Sequence, residues 1–538
     1  MFLDLARRVL LPVSLLTLAA MRCAQAEPVT VPADDAEARC QALTGIDFSG
    51  VTDAPTELNE AKLVKEAHEL VDELKGAAKR EFTTALGNIQ PFCRVSGYVT
   101  PAVGFVLMLP ASHWNGKFLH LGCGGWCGTT TWFGAACALH ADYACIGTDM
   151  GHTGRGGLWS RNNLQAQLDF SYRATHVATL AGKAIIERYY AKPPSRSYFF
   201  GCSTGGFQAL MEAQRFPWDF DGIMAGDPDM DERDLAVRSI WLKRSFIGED
   251  GEPVLNSAAI LLVHEAALAK CDMDDGVKDG IISDPVRCKF DPAVLQCKAD
   301  PKSGCLTPRQ VQAVKSIYAA PKTSKGELIS TRGAFPGSEL NWSQEFSRVW
   351  GESFFKETGL LSTAGKQWTY ADFDFDRDYK RSGAGGMFSD TNPDLRRFKA
   401  AGGKLLIYQG TNDDLEGPGA LIDYYETVQK TMGGRAETQD FFRLFLVPGM
   451  NHCGGGDGVF AFDYLGYLEA WVEQAWPPDV MIGAHVSGLG RYGEVLRYPL
   501  DPSTPVTFTR PVYPYPLHAK YKGTGDLKRA ASFVPVGP

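Results

Sequence analysis

A surplus of positive charge is missing from this chain: 54 Lys and Arg stand against 63 Asp and Glu, for a net charge of −9. Without a basic excess it has little means of neutralising a phosphate backbone, which argues against nucleic acid as a partner. Beyond the N-terminus no apolar run is long enough to span a bilayer. Internal repeats and low-complexity tracts are missing too, which excludes a solenoid or a compositionally biased linker protein. What is present excludes the opposite extreme. With 44% hydrophobic and 22% charged residues over 538 positions, the chain has ample material for a packed core, and a disordered or collagen-like polypeptide is ruled out. That length fits one large domain with an insertion, or two to three domains. The 57 glycines and 31 prolines point to many turns and long loops.

The N-terminus reads as an export leader. Arg7 and Arg8 form a positive region, Val9 to Ala20 an apolar stretch, and Ala24-Gln25-Ala26 a small-x-small cleavage site. The apolar stretch is too short for a membrane anchor. Cleavage after Ala26 would deliver residues 27–538 to the periplasm or the medium as a soluble protein. Of the 13 cysteines, Cys23 lies in the leader, and the even number left suits disulfide pairing in an oxidising compartment. Cys271 and Cys288 flank an acidic loop, and Cys297 and Cys305 bracket a short segment. Cys123, Cys127, Cys137 and Cys145 crowd another region, where the pairing stays open and Cys123-x-x-x-Cys127 also admits a minor zinc reading.

Along the mature chain, Glu57 to Leu74 has helical apolar spacing. From about residue 95 strands and helices alternate. Val95 to Leu109 reads as a strand pair, and Lys117 to Leu121, Tyr143 to Thr148 and Ser197 to Phe200 read as strands. Ala174 to Tyr190 and Gly206 to Phe216 have helical periodicity. The rhythm stops between 230 and 400, a stretch rich in Gly, Pro, aromatics and charge that we take as an inserted lid. It returns with strands at Lys404 to Tyr408 and Phe442 to Val447 and helices at Pro418 to Met432 and Asp463 to Trp476. The proline-rich tail from Tyr498 is expected to wrap rather than build. Such alternation predicts an α/β fold, a doubly wound and mostly parallel sheet, formed by 27–229 and 401–538 around the lid.

Gly201-Cys202-Ser203-Thr204-Gly205 fits G-x-S-x-G between a strand and a helix. A sharp turn there exposes Ser203 Oγ, and the following amide of Thr204 lies at a helix start where an oxyanion can be stabilised. A serine needs a base oriented by an acid, in the chain order nucleophile, acid, base. His452 follows a strand through Pro448-Gly449-Met450-Asn451, a tight loop suited to present one imidazole, whereas His264 and His518 read as packing or surface residues. For the acid, Asp413 is the first choice in Gln409-Gly410-Thr411-Asn412-Asp413-Asp414, Asp414 its rival, and Asp227 a third candidate. Cys202 directly precedes the serine and Cys453 directly follows the histidine. A Cys202–Cys453 bond would hold nucleophile and base side by side, and closing so long a loop is worth roughly 5 kcal/mol on the chain-entropy model.

Cys-Ser at mid-chain and His-Cys near the end resemble the tannase/feruloyl esterase family. The same resemblance is carried by Trp114-Asn115-Gly116-Lys117-Phe118, the glycine loop Gly122 to Gly128, Tyr198-Phe199-Phe200-Gly201-Cys202-Ser203, Gln214-Arg215-Phe216-Pro217, Val447 to Cys453 and Tyr521 to Asp526. It implies an α/β-hydrolase core under a lid, a triad of Ser203, Asp413 and His452, and oxyanion donors at Thr204 and Cys123. It also implies the disulfides Cys40–Cys93, Cys271–Cys288 and Cys297–Cys305. Asp227 and Gln409 depart from the common pattern, which more often has a small residue and a histidine there.

The acidic loop Cys271 to Ile281 offers four carboxylates and two glycines, a donor set suited to a hard cation, though not an EF-hand. The resemblance implies a structural calcium in the lid, held by the Asp272, Asp275 and Asp279 side chains and the Val277 and Ile281 carbonyls. Trp342, Trp350, Phe354, Phe355, Trp368 and Tyr370 are candidates for an aromatic pocket or for the lid's own core. The expected activity is hydrolysis of small esters of aromatic acids (feruloyl, galloyl or terephthaloyl). A peptidase or thioesterase on the same triad, or a silent binding protein on a hydrolase fold, are the alternatives.

Overall fold

The computed structural model describes residues 35–537 apart from 141, 249–250, 299–303, 332, 343–349, 360–364, 366, 415 and 487–503. The leader, 1–26, therefore lies outside the described residues.

One nine-stranded sheet organises the molecule. Its strands are β1 Thr56–Val64, β2 Phe92–Val99, β3 Val103–Pro110, β4 Lys117–Leu121, β5 Ala144–Thr148, β6 Arg196–Cys202, β7 Gly222–Gly226, β8 Lys404–Gly410 and β9 Phe442–Val447. They lie in the order β1-β2-β3-β5-β4-β6-β7-β8-β9. β1, β2 and β3 form an antiparallel meander that joins β5, and from β5 to β9 every pair is parallel. The burial patterns follow that division. β2 alternates buried and half-buried residues, while β5 (ACIGT) and β7 (GIMAG) are buried throughout, as strands covered by helices on both faces must be. Helices Ala174–Tyr190, Thr204–Arg215 and Tyr464–Gln474 supply that cover.

This topology positions the site. β4 connects onward to β5 on one side while its neighbour β6 connects onward to β7 on the other, so the connections of these two adjacent strands diverge and open a crevice at their C-terminal ends. The Gly122 loop leaves β4 there, with the turns after β6, β7, β8 and β9 beside it. β7 pairs directly with β8 although residues 227–403, the segment expected to form a lid, are inserted between them. Within the lid, helices Glu232–Phe246, Ser257–Cys271 and Pro308–Tyr318 gather a separate apolar cluster that includes Phe246, Val263, Val314, Ile317 and Trp342. Trp342 thus belongs to the lid's own core, whereas Trp350, Phe354 and Phe355 are buried in the main core and Trp368 and Tyr370 pack against it.

Two expectations are corrected. Glu57 to Val64 is strand rather than helix, with only a short helix at His68–Val71 after it. A bulge between Leu58 and Glu60 resets the alternation of β1. Leu58 and Ala61 consequently fall three apart, and with Val64 three further on they imitate helical spacing. The tail also builds: Val506–Val512 (β11) pairs with Met481–Val486 (β10), and His518–Tyr521 (β12) with Phe533–Val536 (β13). Pro511 and Pro535 sit within these two-stranded ribbons, where one edge of each strand needs no amide. Among the described residues no helix is long and apolar enough to cross a membrane.

Candidate active site

Six disulfides are formed: Cys40–Cys93, Cys123–Cys127, Cys137–Cys145, Cys202–Cys453, Cys271–Cys288 and Cys297–Cys305. The open quartet resolves into two local pairs, and the zinc reading of Cys123 and Cys127 is withdrawn, because both sulfurs are spent on each other.

Ser203 caps the turn between β6 and helix Thr204–Arg215 with φ 64° and ψ −126°. That backbone is uncommon for a residue with a side chain and marks a strained, functional turn. The surrounding glycines make it feasible. A Cβ on Gly201 would lie 2.6 Å from the Gly205 carbonyl, and one on Gly206 would lie 2.6 Å from the Gly226 oxygen.

His452 sits on the turn after β9, and its Nδ1 lies 2.7 Å from Asp413 Oδ2. Asp413 is buried on the turn after β8, where Oδ1 accepts the Glu416 N–H at 3.1 Å and Oδ2 also accepts Gln409 Nε2–H at 3.2 Å. The two turns are tied together, since Thr411 Oγ1 accepts the Gly449 N–H (3.0 Å) and the Asn412 N–H donates to the Met450 carbonyl (3.0 Å). The Cys202–Cys453 bond, with Cα atoms 5.9 Å apart, then joins the His452 turn to the Ser203 turn.

Asp227 takes a different place from the one considered for it. It is fully buried after β7, and its Oδ1 accepts the Gly410 N–H (2.7 Å) and Gln409 Nε2–H (2.9 Å). Its Oδ2 accepts the Cys453 N–H at 3.2 Å. It therefore clamps the turn of Asp413 to the turn of His452. Burial and the neighbouring Asp413 push its carboxyl well above the usual carboxylate range. Burial works against a charged His452, but Asp413, with Asp227 and Asp229 nearby, outweighs it and pushes the ring up to about 9.

Asp229 was not expected from the sequence. Ser203 Oγ–H donates to Asp229 Oδ1 at 3.1 Å, and among the described residues this is the hydroxyl's one side-chain hydrogen bond, with none to His452. Its signal was faint: a second carboxylate in Asp227-Pro228-Asp229, at the C-terminal end of the strand next to the nucleophile's. Of the two expected oxyanion donors, Thr204 opens its helix, where a first-turn N–H has no intrahelical acceptor. The Cys123 N–H is already donated to Gln208 Oε1 at 2.9 Å.

In the acidic loop Asp272 and Asp275 are buried. Asp272 Oδ1 accepts the Asp279 N–H (3.1 Å), and Asp275 accepts the Val277 N–H (2.9 Å) and the Ser283 hydroxyl (2.6 Å). Asp279 accepts the Ile281 N–H (3.2 Å) and pairs with Arg510 at 2.7 Å.

Residues 84–536 match the family described as tannase and feruloyl esterase. The chain is 33% identical over 537 residues to mono(2-hydroxyethyl) terephthalate hydrolase of Piscinibacter sakaiensis, covering 85% of this chain and 86% of that one. It is 33% identical over 453 residues to a probable feruloyl esterase of Arthroderma benhamiae, covering 78% and 80%. The crystal structure of feruloyl esterase B from Aspergillus oryzae superposes with a TM-score of 0.78 at 27% identity, over 93% of this chain and 100% of that one. Fold and likeness together define a carboxylic ester hydrolase with an α/β-hydrolase core. The chain belongs to the tannase and feruloyl esterase family.

Proposed function

We propose that this protein is an exported serine esterase that cleaves small esters of aromatic carboxylic acids through Ser203, His452 and Asp413. The observation that carries the reading is the Cys202–Cys453 bond, which joins the residue before the serine to the residue after a histidine already held by Asp413. In the reaction Ser203 Oγ attacks the ester carbonyl while its proton moves to His452 Nε2, and Asp413 orients the ring and stabilises the imidazolium. The Thr204 N–H is the assigned oxyanion donor. His452 then protonates the leaving alcohol, and water cleaves the acyl-enzyme by the same relay. Feruloyl and terephthaloyl esters are the acyl classes named in the relatives, and galloyl esters follow from the family name. The leader-like N-terminus and the six disulfides suit a periplasmic or extracellular protein.

The acidic loop is the assigned calcium site. Its residues fit a hard cation. Asp272 and Asp275 are buried carboxylates with no cationic side chain in ion-pair contact among the described residues, and Gly276 (φ 90°) and Gly280 (φ 82°) turn the chain tightly around them. Asp272, Asp275 and Asp279 with the Val277 and Ile281 carbonyls would hold the ion, which would supply charge balance and rigidity and take no part in the chemistry.

Labelling with a serine-reactive fluorophosphonate tests the mechanism, alongside turnover of methyl ferulate, methyl gallate and mono(2-hydroxyethyl) terephthalate. Labelling and turnover are expected in the native protein and lost in Ser203→Ala. Absence of labelling in the native protein would point to a silent hydrolase fold, and turnover confined to amides or acyl-CoA would move the substrate class.

A further inference from the structure

The turn after β7 brings two carboxylates to the site, and each has a distinct neighbour. Asp227 faces Asp413 and the two turns it clamps. Asp229 faces the nucleophile. The placement of Asp229 is set by backbone as well as side chain: the Ser203 N–H donates to the Gly226 carbonyl (3.0 Å), and the Asp229 N–H donates to the Ser203 carbonyl (3.3 Å). Its carboxylate is 2% exposed, lies 3.1 Å from Ser203 Oγ, and has Thr204 Oγ1 2.8 Å from its other oxygen. Polar atoms of Asp229, Glu416 and His452 lie within 4.8 Å of one another.

A serine hydroxyl carries one proton and donates it to one acceptor at a time. A doubly protonated imidazole offers it no lone pair, so a hydroxyl beside a charged ring must find another acceptor. Asp229 is that acceptor here. Resting on the triad reading above, we infer that Asp229 is a positioning residue, which holds the Ser203 hydroxyl while the His452 ring is charged and releases it to Nε2 once the ring is neutral. The steps balance without a co-reactant. The Nε2 proton leaves to solvent, the hydroxyl turns from Asp229 to Nε2, and its proton crosses to nitrogen as Oγ bonds to the ester carbon and the carbonyl π pair moves onto its oxygen.

The charge around the ring favours the holding state. Asp413 and Glu416 face it from the turn after β8, Asp227 and Asp229 from the turn after β7, and the adjacent disulfide carries no proton. Burial disfavours the imidazolium, yet Asp413, with Asp227 and Asp229, outweighs it and places the ring at about 9. Activity should accordingly rise through the alkaline range as the ring loses its proton. Asp229→Asn keeps the size and an accepting oxygen but removes one charge beside the ring.

The experiment is the pH dependence of kcat/KM for 4-nitrophenyl acetate in the wild type and Asp229→Asn, with proton NMR of the His452 Nδ1–H in the wild type. We expect the acid limb of Asp229→Asn to move to lower pH by about one unit or more, with an alkaline plateau within about tenfold of the wild type. A residue that only shaped the fold would lower the plateau and leave the limb in place. Coincident limbs overturn the inference. So does a wild-type ring that titrates near the ordinary imidazole value of about 6.5, a readout that holds even if the variant fails to fold. Activity surviving in Ser203→Ala would instead defeat the triad reading itself, so the two failures are separable.

Discussion

Asp413 and Asp414 carry the same side chain one position apart, and only their surroundings separate them. Asp413 is buried and takes the Nδ1–H of His452. Asp414 is half-buried beside it. A carboxylate that fixes the tautomer of a catalytic imidazole is worth about 10⁴ in turnover when it becomes an amide. Asp413→Asn should therefore lower kcat by about 10³ to 10⁴ with KM little changed, while Asp414→Asn stays within about threefold. Steady-state kinetics on one aryl ester checks both, and the reverse ranking would reassign the acid. Ser203 and His452 were legible because each sits in a turn with its own signature, and the flanking cysteines linked the two. Asp227 and Asp229 were not, because their roles arise only when β7 lies between β6 and β8, which no local pattern encodes. The acceptor of the Cys123 amide was not legible for a related reason: Gln208 lies one turn into the helix after Ser203, far from Cys123 in sequence.

At the level of elements, five of the six parallel strands and the antiparallel pair β2 and β3 were readable as short apolar runs ended by turns, and β1 was not, because its bulge breaks the alternation. The turns carrying the chemistry are held at three places: the backbone ties between the acid and base turns, the Asp227 clamp, and the Cys202–Cys453 bond. Replacing both cysteines by serine removes the covalent tie and leaves the other two. The chain should still fold, since β6 and β9 keep their places in the sheet. Its stability to urea should fall by up to about 5 kcal/mol, the chain-entropy ceiling for so long a loop. A displacement of the base by about 1 Å is worth roughly 10²-fold in rate, so kcat/KM should fall by about that factor. An unfolded double variant would show that the bond specifies the fold, whereas unchanged kinetics would show that the hydrogen bonds alone position His452.

Across the whole molecule, the acidic loop is where the lid meets the tail. It leaves helix Ser257–Cys271 within the lid, and Val277 packs with Ala519 and Phe533 of the last ribbon. Arg510 of β11 pairs with Asp279 (2.7 Å) from the neighbouring ribbon. Buried Asp272 and Asp275 bring negative charge to this junction, and burial raises the Asp275 carboxyl above its ordinary value despite the opposing pull of the Ser283 hydroxyl, the Val277 amide and the more distant Arg510. A bound divalent cation would remove that penalty and lock lid and tail to one another, because its ligands belong to the loop that both of them contact. Removing it should weaken the junction first and the distant triad least. Chelation of divalent ions is therefore expected to lower Tm by several degrees, which for a chain of this size corresponds to about 1–3 kcal/mol, and to open the ribbon of His518–Tyr521 and Phe533–Val536 to limited proteolysis. Added calcium should reverse both effects, while initial rates on a small ester measured below the new Tm change by less than about twofold. Asp275→Asn should reproduce the lowered Tm and no longer respond to chelator or calcium. If Tm and cleavage pattern are the same after verified removal of divalent ions, Arg510 and the apolar contacts suffice to hold the junction, and the loop binds no structural cation.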